Sequence, residues 1–183
     1  METQVLVVGD SWSSAWEGDT GRDEGWPLLL GIPREYRQGK AGSSAAEWAM
    51  DRDGMLTKAM GTPSKVVIIS LIGNDAIAAL ADSNITVDEV TAAYKNFAYV
   101  LHMLQRERTL VMLYADPYCG TNEITRFAVP MINAGLRALC KDKVEFVDCS
   151  LILTPSHFHN TDMLHPNKSG HGQIAKLVAE LLT

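Results

Sequence analysis

The chain has 183 residues, 46% of them hydrophobic and 21% charged, enough apolar content to bury one sizeable core and too much for intrinsic disorder. Sixteen Lys and Arg stand against 22 Asp and Glu, a net charge of −6 with no basic run, so no nucleic-acid partner is expected. The longest apolar segment, Val66 to Ile72, is interrupted by Ser70 and falls far short of the ~18 residues of a membrane span.

The first residues, Met1-Glu2-Thr3-Gln4, carry neither a positive leader nor a long apolar region, so a cytoplasmic location is the expectation. They lead into a strand-like run, Gln4 to Gly9, ending in Gly9-Asp10-Ser11. Trp12 to Leu30 reads as a loop with one or two short helices and holds Trp12, Trp16 and Trp26. A second strand is predicted over Glu35 to Gln38. It is followed by Gly39-Lys40-Ala41-Gly42-Ser43, which lacks the Lys-Ser/Thr ending of a phosphate-binding loop. A helix from Ala45 to Met60 opens on the capping pair Ser44-x-x-Glu47. The third strand, Lys65 to Leu71, runs into Gly73-Asn74-Asp75. From Val87 to Arg106 apolar residues recur every three or four positions behind Thr86-x-x-Glu89, the pattern of an amphipathic helix. Thr109 to Ala115 is the fourth strand, followed by Asp116-Pro117-Tyr118. A helix from Asn122 to Leu139, a fifth strand from Val144 to Cys149, a polar loop ending in Asp162-Met163-Leu164-His165-Pro166, and a helix from Asn167 to Leu182 complete the chain. Cys119, Cys140 and Cys149 lack metal-ligand spacing and read as reduced, mostly buried thiols.

Strands and helices alternate throughout, which implies one α/β domain over residues 1–183, with a mostly parallel sheet covered by helices on both faces. Ligands of such sheets gather at the carboxyl ends of the strands, and five times a polar or small segment follows a strand there. Acyl transfer needs a nucleophile, a base, a group that orients the base, and oxyanion donors. Ser11 is the candidate nucleophile, His165 its base, and Asp162 the group that holds the other imidazole nitrogen. The backbone N–H of Ser11, the backbone N–H of Gly42 and the side-chain amide of Asn74 are the candidate oxyanion donors. Each has a plainer structural use: Ser11 and Asn74 as caps, Gly42 as a turn residue of positive φ. Asp10 and Asp75 are expected to organise backbone N–H groups around the site. Trp12, Tyr118 and His159 are candidate substrate-binding residues, Trp12 by stacking on a sugar or enclosing an acyl chain. His157 and His159 lack a third ligand, and no metal is expected.

Gly9-Asp10-Ser11, Gly42, Asn74-Asp75 and Asp162-x-x-His165-Pro166, in this order across almost the whole chain, resemble the four signature blocks of the SGNH (GDSL-type) hydrolases. The resemblance implies a flavodoxin-like five-stranded sheet of order 2-1-3-4-5 and esterase, lipase, thioesterase or carbohydrate O-deacetylase activity with no cofactor. One position departs from the pattern: Ile72 stands where the third block usually begins with glycine, and a locally changed turn is expected there. So short a chain leaves little for a lid. The expectation is an open cleft that takes small acyl groups, acetyl above all, from a small-molecule or glycan ester. The alternatives are a lipase or thioesterase for longer chains, or an inactive glycan-binding module on the same fold.

Overall fold

Strands read as unbroken aliphatic runs need cover on both faces, and they receive it. In a computed structural model, which describes residues 4–13, 25–81, 86–116, 123–159 and 164–183, β1 (Val5–Gly9) and β3 (Val66–Ser70) are buried over their full length. β4 (Arg108–Leu113) is buried beyond its first residue. The shorter and less buried strands β2 (Arg37–Gly39) and β5 (Glu145–Asp148) form the two edges. All pairings are parallel and the order is β2-β1-β3-β4-β5, with helices on both faces in an α/β/α arrangement.

The helices are α1 (Trp26–Leu29), α2 (Ala45–Ala49), α3 (Met55–Gly61), α4 (Gly73–Ala81), α5 (Val87–Leu104), α6 (Glu123–Cys140) and α7 (Lys168–Leu182). Both predicted capping boxes form: Ser44 Oγ accepts from the Glu47 N–H and Thr86 Oγ1 from the Glu89 N–H, each at 3.2 Å. α5 buries Phe97, Val100, Leu101 and Leu104, the apolar face its periodicity gives. Among the described residues, no helix is long and apolar enough to cross a membrane.

Several boundaries shift by one or two residues, β4 ending at Leu113 and α5 at Leu104, and two differences have a clear backbone cause. The helix expected from Ala45 to Met60 is broken into α2 and α3, because Asp51, Asp53 and Gly54 take left-handed backbone conformations. The strand expected at Glu35 starts at Arg37, since a 3₁₀ turn over Arg34–Tyr36 follows Pro33. Cys140 and Cys149 are free and buried, and burial pushes the Cys140 thiol up to about 11.

The last residue of β1 has a backbone need that only glycine meets. Gly9 has φ +140°, and a Cβ there would lie 1.9 Å from the Ser70 carbonyl oxygen on β3. Backbone cannot move aside as a side-chain tip can. Gly9→Ala is therefore expected to cost at least about 4 kcal/mol, lowering Tm by about 8 to 16 °C for a chain of this size. A thermal melt checks it.

Candidate active site

The carboxyl ends of β1, β3 and β4 meet at one hydrogen-bonded cluster. Asp10, directly after β1, is buried. Its Oδ1 accepts from the Trp12 N–H at 3.0 Å and the Ser70 hydroxyl at 2.8 Å, and its Oδ2 from the Tyr114 hydroxyl at 2.6 Å. The Tyr114 hydroxyl in turn accepts from the Gly73 N–H at 3.3 Å, and the Asn133 side chain holds both backbone polar atoms of Tyr114 at 3.0 and 2.8 Å. One carboxylate and one phenol thus tie the Ser11 turn to the start of α4, which carries Asn74. Tyr114 was legible only as a strand residue, since nothing in an apolar run marks a hydroxyl that will find a buried acceptor.

Burial raises the Asp10 carboxyl from an ordinary 3.8 to about 6, against the opposing pull of its donors. Burial and the neighbouring Asp10 also hold the Tyr114 phenol well above its usual range. A carboxyl raised in the fold binds its proton more tightly folded than unfolded, so its contribution to stability is complete below about pH 4 and is lost as pH rises through about 6. Two units correspond to about 3 kcal/mol. Asp10→Asn removes this titration, so its stability relative to wild type should improve by up to about 3 kcal/mol between pH 4 and pH 7. Denaturant melts of both proteins across that range provide the check.

The loop after β2 is tied to the same place. Ser43 Oγ shares its one hydrogen between the carbonyls of Gly9 and Lys40, at 3.1 and 2.8 Å, and accepts from the Trp48 indole at 3.1 Å. Asn74, in the first turn of α4, donates through Nδ2 to the Ser43 carbonyl at 2.9 Å, and Asp75 Oδ2 accepts from the Ala45 N–H at 2.8 Å. An amide nitrogen carries two hydrogens, so Asn74 can hold the loop with one and offer the other to an oxyanion. Gly42 lies on the exposed crest of this loop at φ +76°, with open space around it. At the position where glycine would begin the third block, Ile72 takes φ +89°, buried, and its carbonyl accepts the Ala76 N–H that opens α4. Isoleucine thus occupies a left-handed backbone position at a strain cost of about 1 to 3 kcal/mol.

The remaining partner comes from the other end of the chain. His165 Nε2 lies 2.8 Å from Ser11 Oγ. A short antiparallel bridge between Phe158 and Pro166 holds this histidine, together with a hydrogen bond from the His159 N–H to the His165 carbonyl at 3.0 Å. Asn167 fastens both sides: its Nδ2 donates to the carbonyls of Ser156 and Phe158 at 2.9 and 3.0 Å, while its Oδ1 caps α7 through the Gly170 N–H at 3.0 Å. Sequence reading places Asn167 only at a helix start, and its second task has no sequence signal.

Asp162 and Tyr118 lie outside the described residues. His159 is half-buried and meets the site through its backbone bond to His165. Trp12 is 4% exposed, packs edge-on against Tyr114 at 5.1 Å and lies tilted against Phe158 at 6.0 Å, so it forms wall and not an open stacking platform. Ser11, Trp12 and Asn74 together line a cavity at this end of the sheet.

No family model matches the chain, and no curated protein sequence matches it. Solved structures do. A member of the lipolytic protein G-D-S-L family from Veillonella parvula is 17% identical with a TM-score of 0.71, covering 97% of this chain and 96% of that one. The fold is that of the G-D-S-L lipolytic proteins. A lipase from a goat rumen metagenome superposes with a TM-score of 0.72 at 14% identity, over 97% and 96% of the two chains. The acetylxylan esterase Axe2 of Geobacillus stearothermophilus does so with a TM-score of 0.70 at 15% identity, over 98% and 93%.

Proposed function

We propose that the chain is a single-domain serine esterase of the SGNH (GDSL-type) family that hydrolyses small acyl esters, with O-acetyl groups on carbohydrates as one natural source. The observation that carries this reading is the 2.8 Å hydrogen bond between Ser11 Oγ and His165 Nε2, formed across 154 positions of sequence at the end of a parallel sheet. The likeness to G-D-S-L lipolytic proteins and an acetylxylan esterase supports it.

In this reading His165 Nε2 takes the Ser11 proton as Oγ attacks the ester carbonyl. The backbone N–H groups of Ser11 and Gly42 and the free hydrogen of Asn74 Nδ2 meet the oxyanion. The alcohol leaves with the proton from His165, and a water activated by the same imidazole releases the acid. Asp162 orients His165 from three residues away. Trp12 walls the acyl side, and Tyr118 and His159 are the further candidate substrate-binding residues.

The test is hydrolysis of p-nitrophenyl esters of two, four, eight and twelve carbons, alongside acetate release from acetylated xylan. Turnover confined to the short esters is expected. A preference for the dodecanoyl ester would replace this reading with that of a lipase.

A further inference from the structure

The cavity that Ser11 and Asn74 share has an apolar interior. Its closed end is formed by Tyr114, Ala115, Ala128 and Ile132, which are 4, 2, 3 and 3% exposed, and its mouth by the half-buried Val129 and Leu164. Space exists there because two alanines stand where larger residues would meet: Ala128 on α6 and Ala115 after β4. Asp10 also borders it, yet both carboxylate oxygens are engaged by Trp12, Ser70 and Tyr114, so no bare charge faces the interior.

We infer that this cavity is the acyl subsite of the proposed esterase, and that its closed end sets a limit at acyl groups of about four carbons. The assignment rests on the serine-esterase reading. Four groups surround the reacting carbon in the tetrahedral intermediate: Ser11 Oγ, the oxyanion, the leaving oxygen and the acyl chain. The leaving oxygen must reach His165 Nε2 to collect its proton, and His165 is not part of the cavity wall, whereas Ser11 and Asn74 are. The substituent directed between Ser11 and Asn74 into the cavity is therefore the acyl chain. Its volume sets the length. The cavity holds about 40 Å³, where a single water-sized group needs roughly 10 to 15 Å³. About three methyl-sized groups fit beyond the carbonyl carbon, which is a butyryl chain. Acetyl enters but leaves the closed end unfilled, and octanoyl meets Ile132 and Tyr114.

Two methylenes buried against this lining correspond to about tenfold in kcat/KM for butyryl over acetyl. The experiment measures kcat/KM for p-nitrophenyl acetate, butyrate, hexanoate and octanoate with wild type, Ala128→Leu, Val129→Phe and Ser11→Ala. A second series holds the acyl group at acetyl and lengthens the alcohol. The expected wild-type profile peaks at butyrate and falls at least tenfold by octanoate. Ala128→Leu fills the closed end and Val129→Phe narrows the mouth, so each lowers the butyrate-to-acetate ratio at least fivefold. Ratios that stay put in both variants, while thermal melts show them folded, overturn the assignment. So does a length preference that appears in the alcohol series and not in the acyl series. Should neither variant fold, the wild-type profile decides: a steady rise through octanoate overturns the limit. Failure of the parent reading looks different, since Ser11→Ala would then hydrolyse these esters as wild type does, or wild type would hydrolyse none.

Discussion

Ser11→Ala is expected to lower kcat toward p-nitrophenyl butyrate by about 10⁴- to 10⁶-fold. Ser11 is 7% exposed, and its hydroxyl meets the His165 ring at 2.8 Å. Removing that hydroxyl takes away the only group that can carry the acyl intermediate in the proposed reaction. Its loss leaves the rest of the cluster in place, because the turn is held by Asp10 through the Trp12 N–H and by the Ser13 N–H to the Asp10 carbonyl at 3.1 Å. Tm should thus move by only a few degrees. His165→Ala is expected to cost nearly as much, and the double variant to fall no further than the worse single one. Groups that act as one unit are strongly non-additive. Full additivity in steady-state kinetics would mean that the two side chains work in separate steps.

The second large effect is expected at Asn74. Asn74→Ala should reduce kcat by about 10²- to 10³-fold with KM little altered, the signature of a donor that matters mainly in the transition state. The same change strands the Ser43 carbonyl, whose bond from Asn74 Nδ2 is 2.9 Å long, at a stability cost of about 1 kcal/mol. Asn74→Asp keeps the shape but places a carboxylate oxygen beside the developing negative charge, and should be at least as slow as the alanine variant. A rise in KM with kcat preserved would assign Asn74 to ground-state binding instead.

Much of this architecture is legible without coordinates, for identifiable reasons. The runs Val5 to Val8, Val66 to Ile69 and Leu110 to Leu113 are unbroken apolar stretches of strand length, the first two mostly β-branched, as strands covered on both faces require. Edge strands carry a weaker signal: β2 is polar, and the Pro33 turn shifts its start by two residues. α4, with the sequence Gly-Asn-Asp-Ala-Ile-Ala-Ala-Leu-Ala, is a helix the alternation of strands and helices did not single out, because small residues draw no apolar stripe. α2 and α3 looked like one helix, since side-chain periodicity is blind to the left-handed backbone at Asp51, Asp53 and Gly54.

At the site, Ser11 and His165 stood out through short motifs and meet in space, and Asn74 shares a cavity with Ser11. Ile72 shows the limit of reading by residue type. Glycine usually marks a positive φ, yet the fold imposes +89° on a β-branched residue because the chain must turn from β3 into α4 at that point. Tyr114 and Asn167 act through backbone groups far away in sequence, at Gly73 and at Ser156 and Phe158, and such partners become visible only when the strands are stacked in order.

In the proposed reaction Ser11 becomes covalently acylated. The direct measurement is intact-protein and peptide mass spectrometry after incubation with a short-chain p-nitrophenyl alkylphosphonate, which traps an activated serine as a stable ester. One phosphonyl group per chain, on the peptide that carries Ser11, is the expected result, with no label on Ser11→Ala and much slower labelling of His165→Ala. A label on another residue, or an unlabelled protein that goes on hydrolysing esters in the presence of the reagent, would contradict the account.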